Sequence, residues 1–218
     1  MIKNIEINER LEKYISDHSY DLHPVQKDIL NHNNKLGEIK KMQISITQSY
    51  FFQLFIKTNK IKDILEIGTF TGYSALTMGL VIPKNGSVIC LDINKQTSEV
   101  ANNFFKKAKI DKKVKIILGP ATGSLQKLKN DKKFFDMIFI DADKENYKNY
   151  YNQSLDLIEE NGLLIFDNVL WHGEVADINN EKKLTTIIRE FNSFINEDNK
   201  TENLIIPVGD GFAVCRKL

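Results

Sequence analysis

The chain has few cysteines and prolines and almost no net charge. It has two cysteines and four prolines in 218 residues, and 30 basic side chains stand against 29 acidic ones. Cys90 and Cys215 lie in apolar runs without CxxC spacing, which predicts buried thiols and a reducing compartment. The near-neutral charge gives no reason to expect nucleic acid or a membrane as partner. A small molecule is therefore the favoured partner.

Long apolar segments are also missing. No run approaches the roughly 18 residues that a membrane-spanning helix needs, and the N-terminal segment MIKNIEINERLEKYI is charged throughout, unlike a signal peptide. We therefore expect a soluble, cytoplasmic protein. The length, with no internal repeat or Pro/Gly/Ser-rich linker, predicts one domain over residues 1–218, with a helical cap at 1–60 and a core at 61–218.

Short apolar runs alternate with amphipathic segments from about residue 62, which is typical of βαβ units in an α/β fold. Five runs predict parallel strands, and two more flank a tight turn at residues 209–211, which predicts an antiparallel hairpin. The prediction is a seven-stranded, mostly parallel sheet with one reversed C-terminal strand and N-terminal capping helices. The predicted helices cover residues 8–17, 24–36, 47–58, 73–81, 96–108, 121–129, 144–158 and 181–194.

Polar side chains follow two of the predicted strands. Asp141, Asp143 and Lys144 come after FFDMIFI, and Asp167 and Asn168 come after GLLIF. The carboxyl ends of parallel strands meet at one edge of a sheet, where open α/β sheets bind their ligands. Carboxylate and amide oxygens suit Mg²⁺ or a similar hard cation. This pattern predicts a metal-assisted enzyme.

The segment ILEIGTFTGYSAL predicts a strand, a glycine-bearing turn and the start of a helix, where free N–H groups face a ligand. Phe70 stands where a GxGxxG turn needs glycine, so a nicotinamide dinucleotide is disfavoured. Glu66 would repel phosphate and attract a cationic ligand. Asp92, about 20 residues past the turn, is placed to bind ribose hydroxyls. The alternative for Asp92 is a helix N-cap.

These residues and motifs resemble the cation-dependent O-methyltransferases that use S-adenosylmethionine, the group containing the caffeoyl-coenzyme A and catechol O-methyltransferases. The resemblance covers nearly everything from Met42 to Leu218. Its motifs occur in the family's order: MQIS, LEIGTFTGYSAL, LDIN, GPA, FIDADKENY, GLLIFDNVLWHGEV and PVGDGFAVCRK. The resemblance implies a Rossmann-like class I methyltransferase fold, S-adenosylmethionine as cofactor, a divalent cation and a homodimer.

The resemblance also implies roles for individual residues. The implied cofactor-binding residues are Glu66, Gly68, Thr69, Ser74, Asp92, Ala121, Asp141 and Asp143. The implied metal ligands are Asp141, Asp167 and Asn168, and Tyr147 lies near them in the sequence pattern. Lys144 matches a proposed general base, so Lys144 and Asp141 are the predicted catalytic residues. Met42, Trp171 and His172 are predicted near the acceptor.

Simpler roles remain for two of these residues. Asp141 would otherwise be an N-cap of the following helix, and Lys144 a surface lysine at its start.

The predicted reaction is transfer of a methyl group from S-adenosylmethionine to a hydroxyl of a small catechol-like acceptor, a vicinal dihydroxy aromatic compound. A phenol with a pKa of about 10 is a poor nucleophile at neutral pH, and a dication would stabilise its phenolate. Mg²⁺ is the expected cation, with Mn²⁺ or Ca²⁺ as alternatives. The alternative functions are methylation of a non-catechol acceptor, a catalytically silent S-adenosylmethionine-binding protein and a nicotinamide oxidoreductase.

The chain departs from the family's pattern in its N-terminal part. Related bacterial chains often read MQISPEQGQFL, whereas this one reads MQISITQSYFF, with Ile46, Thr47 and Ser49 in place of proline, an acidic residue and glycine. This change leaves the acceptor's shape open. The stretch SYDLHPVQKDIL lacks a basic cluster for coenzyme A phosphates, which disfavours a thioester acceptor. The aromatics at 50–52 are predicted to form core or a dimer face.

Overall fold

Seven strands form one mixed sheet in the computed structural model, which describes residues 7–218. Residues 1–6 of the predicted cap lie outside the described part. The strands are β1 (Asp63–Ile67), β2 (Ser87–Asp92), β3 (Val114–Leu118), β4 (Phe135–Ile140), β5 (Ile158–Phe166), β6 (Thr201–Ile206) and β7 (Phe212–Lys217).

The strand order is β3-β2-β1-β4-β5-β7-β6. The first five strands pair in parallel, whereas β7 runs antiparallel to both β5 and β6. The α/β fold, the seven strands and the C-terminal hairpin are therefore confirmed. The chain moves outward from β1 in one direction through β2 and β3, and in the other through β4 and β5. The direction switches between β1 and β4, which is where such sheets bind ligands.

Eight α-helices flank the sheet in the described part of the chain. They are α1 (Glu9–Asp17), α2 (Pro24–Asn33), α3 (Ile46–Asn59), α4 (Tyr73–Gly79), α5 (Lys95–Lys107), α6 (Ala121–Asn130), α7 (Tyr147–Leu155) and α8 (Lys183–Glu197). Short 3₁₀ helices cover Gly37–Met42, Lys144–Asn146 and Trp171–Ala176. Within residues 7–218, no helix combines the length and apolar character that crossing a bilayer requires.

The helix predicted over residues 144–158 is wrong at both ends. Its first turn is a 3₁₀ helix, α7 ends at Leu155, and the last predicted residue, Ile158, begins β5 and pairs with Phe135 of β4. The pairing explains the difference, because Leu157 accepts a backbone hydrogen bond from Phe135 and so follows the sheet.

Two hydrophobic clusters cover the two faces of the sheet. Helices α2 to α5 contribute to one and α6 to α8 to the other. Phe52 of α3 is fully buried in the first cluster, with ring centroids 4.8 Å from Phe139 and 5.2 Å from Phe212. Phe52 is therefore core, as the sequence suggested for this aromatic run. Cys90 and Cys215 are free thiols and both are buried, as their apolar runs predicted.

Helix α3 begins with a capping box. The Ser45 hydroxyl accepts a hydrogen bond from the Gln48 N–H at 3.2 Å, and the Gln48 side-chain oxygen accepts one from the Ser45 N–H at 2.7 Å. These reciprocal bonds satisfy two backbone donors that the first helical turn leaves free. The capping box therefore determines the residue at which α3 begins.

Candidate active site

The strand register brings the predicted site residues to one edge. Ile67 at the end of β1 pairs with Ile140 of β4, which pairs with Phe166 of β5. The following residues, Gly68, Asp141 and Asp167, therefore lie side by side. Backbone bonds extend the sheet into this edge, because the Asp141 N–H donates to Ile67 and the Asp167 N–H to Ile140.

The Lys144 ammonium lies inside a cluster of oxygen atoms. Its Nζ is 3.0 Å from Asp141 Oδ1, 2.8 Å from Asn168 Oδ1 and 2.6 Å from the Tyr147 hydroxyl. The Lys144 side chain is only 10% exposed. Lys144 is therefore a largely buried, ion-paired group, and its interpretation as a surface lysine is wrong. Asp141 caps no helix, since Asn146 precedes α7.

Asp167 is the most buried carboxylate of this edge, with 1% of its surface exposed. Its Oδ1 accepts hydrogen bonds from Gln48 Nε2 at 2.9 Å and from the Asn168 N–H at 2.7 Å. Burial raises the pKa of the Asp167 carboxyl, and the charge of Asp141 raises it further. A cation bound between the two carboxylates would offset both effects.

The donor set fits a hard cation. Within residues 7–218, no group of three or more His, Cys, Asp or Glu side chains could hold a metal ion. The set at this edge is different, because Asn168 supplies an amide oxygen beside the carboxylates of Asp141 and Asp167. Lys144 Nζ already bonds two members of this set, so these oxygens accept a positive charge. Oxygen donors of this kind suit Mg²⁺, Mn²⁺ or Ca²⁺.

The turn after β1 requires glycine. Gly68 has a φ of +90°, and a Cβ there would lie 2.0 Å from the carbonyl oxygen of Asp141. Asp92 holds this turn, because its Oδ2 accepts from the N–H groups of Thr69 and Phe70, both at 2.9 Å. Its predicted alternative as an N-cap is wrong, since Asn94 caps α5. Asp92 therefore shapes the turn beside which a ligand would lie.

Glu66 is buried behind the turn with 0% of its surface exposed. Neither of its carboxylate oxygens has a hydrogen-bond partner among the described residues. Burial is the largest influence on this carboxyl and raises the pKa of Glu66 to about 7. A buried acceptor without partners fits a ligand that brings N–H donors and positive charge, as the amino group of S-adenosylmethionine would.

A cavity of about 530 Å³ opens at this edge. Eleven of the predicted residues line it: Met42, Gly68, Thr69, Ser74, Asp92, Ala121, Asp141, Asp143, Lys144, Asn168 and Trp171. Glu66 and Asp167 are not part of its lining. Its volume is within the range of small-molecule sites.

His172 is not brought to this cavity. Its side chain is 77% exposed, and its backbone N–H donates to Asp210 Oδ1 at 2.6 Å. The left-handed backbone at Trp171 and His172, with φ of 48° and 56°, turns the loop so that Trp171 lines the cavity and His172 does not.

Sequence reasoning missed Gln48 and Tyr150. Tyr150 lines the cavity and donates a hydrogen bond to Asp143 Oδ1 at 2.6 Å. The Ser-x-x-Gln pattern at residues 45–48 signals a capping box, but the contact of Gln48 with Asp167 spans 119 positions. No local pattern reports such a contact.

The chain is similar to known O-methyltransferases over nearly its whole length. A family model described as O-methyltransferase matches residues 16–218. The caffeoyl-CoA O-methyltransferase of Populus kitakamiensis is 34% identical, with 99% of this chain and 97% of that protein covered. The O-methyltransferase of Bacillus cereus, solved in complex with SAH, is 29% identical with a TM-score of 0.88, covering 96% and 97% of the two chains. The SAH-bound methyltransferase of Podospora anserina is 25% identical with a TM-score of 0.88, covering 100% of both. The chain therefore belongs to the O-methyltransferase family.

Proposed function

We propose that this enzyme transfers a methyl group from S-adenosylmethionine to a hydroxyl of a small catechol-like acceptor and requires a divalent cation held by Asp141, Asp167 and Asn168. The observation that carries the proposal is the position of Lys144 Nζ, within 3.0 Å of both Asp141 and Asn168. A set of partly buried oxygens that already surrounds one cationic group can hold another. Mg²⁺ is the proposed ion.

When bound, a dication supplies positive charge that stabilises an ionised hydroxyl of the acceptor. Lys144 would accept the hydroxyl proton at Nζ, which requires the amine to be neutral at that moment. Tyr147 orients Lys144, because the tyrosine hydroxyl accepts a hydrogen bond from Lys144 Nζ and donates one to the Asp167 backbone carbonyl at 2.9 Å. Met42 and Trp171 at the cavity wall would exclude water from the reacting groups.

The cofactor would lie across the turn that follows β1. S-adenosylmethionine, when bound, supplies the methyl group on a cationic sulfonium. Glu66, buried behind this turn with two oxygens unpartnered among the described residues, would attract the positive amino group, and Gly68 allows close approach of the backbone. Asp92 would bind the ribose hydroxyls, and Ala121 would contact the adenine from the start of α6.

A second cavity bears on the size of the acceptor. It has a volume of about 790 Å³ and shares Lys41, Gln43 and Ile44 with the first cavity. Its charged lining residues are Glu12, Lys13, Asp17, Lys27, Lys40 and Lys41. These lysines come from three different helices, and three of them are ion-paired: Lys13 with Asp17, Lys27 with Asp21 and Lys41 with Glu38. Since several relatives are named for caffeoyl-CoA, the acceptors tested should include catechol, caffeate and caffeoyl-CoA.

The test measures SAH release from metal-stripped protein with and without added Mg²⁺. Asp167→Asn removes a proposed ligand's charge with little change of volume, and we expect activity to fall at least about 100-fold. Asp136→Asn is the matched control, because Asp136 binds the N–H groups of Lys62 and Asp63 at the far end of the sheet. We expect it to keep the wild-type rate.

Two results would contradict the proposal. Turnover that is the same with and without the cation would remove the metal from the mechanism. Absence of turnover with all three acceptors, while S-adenosylmethionine still binds, would favour another acceptor or a catalytically silent protein.

A further inference from the structure

Gln48 connects the N-terminal cap to the edge of the sheet. It lies at the start of α3, is 3% exposed, and its Nε2 donates to Asp167 Oδ1 at 2.9 Å. Gly209, in the turn between β6 and β7, packs against the same amide so closely that a Cβ there would lie 2.4 Å from Gln48 Cδ. The side chain is therefore enclosed by three separate parts of the chain.

The orientation of the Gln48 amide follows from its partners. Its Oε1 accepts the Ser45 N–H at 2.7 Å, and that backbone group is only a donor. A flipped amide would place its NH₂ group against this donor and its oxygen against the Asp167 carboxylate. Both contacts would then be repulsive, so the amide has one favourable orientation.

This orientation determines which oxygen of Asp167 is free. Oδ1 accepts from both Gln48 Nε2 and the Asn168 N–H, whereas Oδ2 has no hydrogen-bond partner among residues 7–218. Two donors on one oxygen fix the plane of the carboxylate and leave the other oxygen without a hydrogen bond from any described residue. Groups that orient metal ligands in this way commonly change metal affinity about 10- to 100-fold.

We infer that Gln48 is a positioning residue for the cation site, which holds the Asp167 carboxylate so that Oδ2 is presented to the ion. The inference rests on the proposed function, because it assigns Asp167 as a ligand. It adds that the helical cap takes part in building the site, since Gln48 belongs to the capping box of α3.

The test measures the affinity of the protein for Mn²⁺ from the electron paramagnetic resonance signal of the free ion. Calorimetry measures the affinity for SAH in the same variants. Gln48→Met keeps the length of the side chain and removes both hydrogen bonds. We expect it to weaken Mn²⁺ binding at least about tenfold and to change SAH binding less than about twofold. Gln48→Asn, whose amide is one methylene shorter, should weaken Mn²⁺ binding similarly.

Ser45→Ala is the matched control. It removes the other half of the capping box, the bond from the Gln48 N–H to the Ser45 hydroxyl, and leaves the Gln48 amide in contact with Asp167. It should destabilise the start of α3 but keep Mn²⁺ affinity within about twofold of wild type. This control separates positioning of the carboxylate from stability of the helix.

The outcomes separate the inference from the proposed function. The inference would be overturned if the Gln48 variants bound Mn²⁺ as tightly as the wild-type protein, or if Ser45→Ala lost as much affinity as they did. In either case, binding of Mn²⁺ by the wild-type protein would still support the proposed function. Failure of the wild-type protein to bind Mn²⁺ would overturn both. Weaker binding in both Gln48 variants together with an unchanged Ser45→Ala would support the role of Gln48.

Discussion

At the scale of single residues, Glu66 and Asp167 are buried carboxylates whose environment opposes ionisation. Glu66 has no hydrogen-bond partner among the described residues, and Asp167 lies beside the charge of Asp141. Burial raises the pKa of both carboxyls. Such groups destabilise the ligand-free protein and are retained where a bound ligand needs them.

Glu66→Gln should make the ligand-free protein more stable at pH 8. The pKa of Glu66 rises from 4.5 in the unfolded chain to about 7 in the folded protein. Below pH 4.5 the carboxyl is protonated in both states, and its destabilising effect grows as the pH rises to 7. A rise of this size corresponds to about 3 kcal/mol above pH 7. Urea unfolding at about pH 8 and about pH 4.5 measures the difference, which should shrink towards zero at the lower pH.

The same substitution should weaken SAH binding, because the ligand would lose a negatively charged partner. Calorimetry at pH 8 provides this measurement. Equal stability of Glu66→Gln and wild type at pH 8 would show that the buried carboxyl is not a source of instability.

At the scale of elements, the turn between β1 and α4 depends on a backbone conformation that only glycine adopts without strain. Gly68 has a positive φ and lies against the carbonyl of Asp141. The backbones at the ends of β1 and β4 therefore leave no room for a side chain at residue 68. Asp92, at the end of β2, then binds the N–H groups of the turn. Three strand ends therefore determine the shape of this one turn.

Gly68→Ala and Gly123→Ala should have opposite effects. An alanine at 68 would clash with Asp141, and we expect a loss of more than about 4 kcal/mol or failure to fold. Gly123 lies in α6 with nothing within 4 Å of the position that a methyl group would take, so alanine there should stabilise the protein by about 0.5–1 kcal/mol. Urea unfolding measures both. Similar effects of the two substitutions would contradict the described turn.

At the scale of the whole molecule, the N-terminal cap and the sheet share one core. Phe52 of α3 contacts the rings of Phe139 in β4 and Phe212 in β7. A buried polar network adds to this contact, because Gln26 Nε2 of α2 donates to Ser49 of α3 at 3.0 Å and to Thr77 of α4 at 2.9 Å. Helices joined to the sheet in this way should not unfold separately.

Phe52→Ala should destabilise the cap and the sheet together. Removing a buried phenylalanine typically costs about 3–5 kcal/mol, and we expect one cooperative calorimetric transition at a lower temperature. Leu54→Ala is the matched control on the same helix, since Leu54 is 65% exposed and should change stability by less than about 0.5 kcal/mol. Two separate transitions in the variant would show that the cap is an independent unit.

Much of the fold could be predicted because its signals are local. Each of the seven strands overlaps an apolar run of the sequence, and the strands of the hairpin flank the short turn at residues 209–211. The errors lie where tertiary pairing competes with periodicity, as at Ile158, which has helical spacing but pairs with Phe135. The placement of Asp141 and Lys144 at a strand end was also predictable from order along the chain.

The site was only partly predictable, because side-chain direction depends on loop geometry. His172 follows Trp171 in the sequence, yet the positive φ of both residues directs only Trp171 to the cavity. Gln48 was missed because the Ser-x-x-Gln pattern predicts, at most, a local role at the start of α3. Its second contact needs α3 to lie over the end of β5, which only packing decides.

The amino-acid sequence by itself determined the strands, the glycine turn and the residue types at the strand ends, because periodicity, backbone conformation and ligand chemistry act within a few residues. Only the tertiary structure decided that Lys144 lies between Asp141 and Asn168, that Glu66 is left without a partner among the described residues, and that Gln48 reaches Asp167. Those contacts join residues far apart in the chain, and their free energies depend on burial and distance, which exist only after the sheet and its cap have packed.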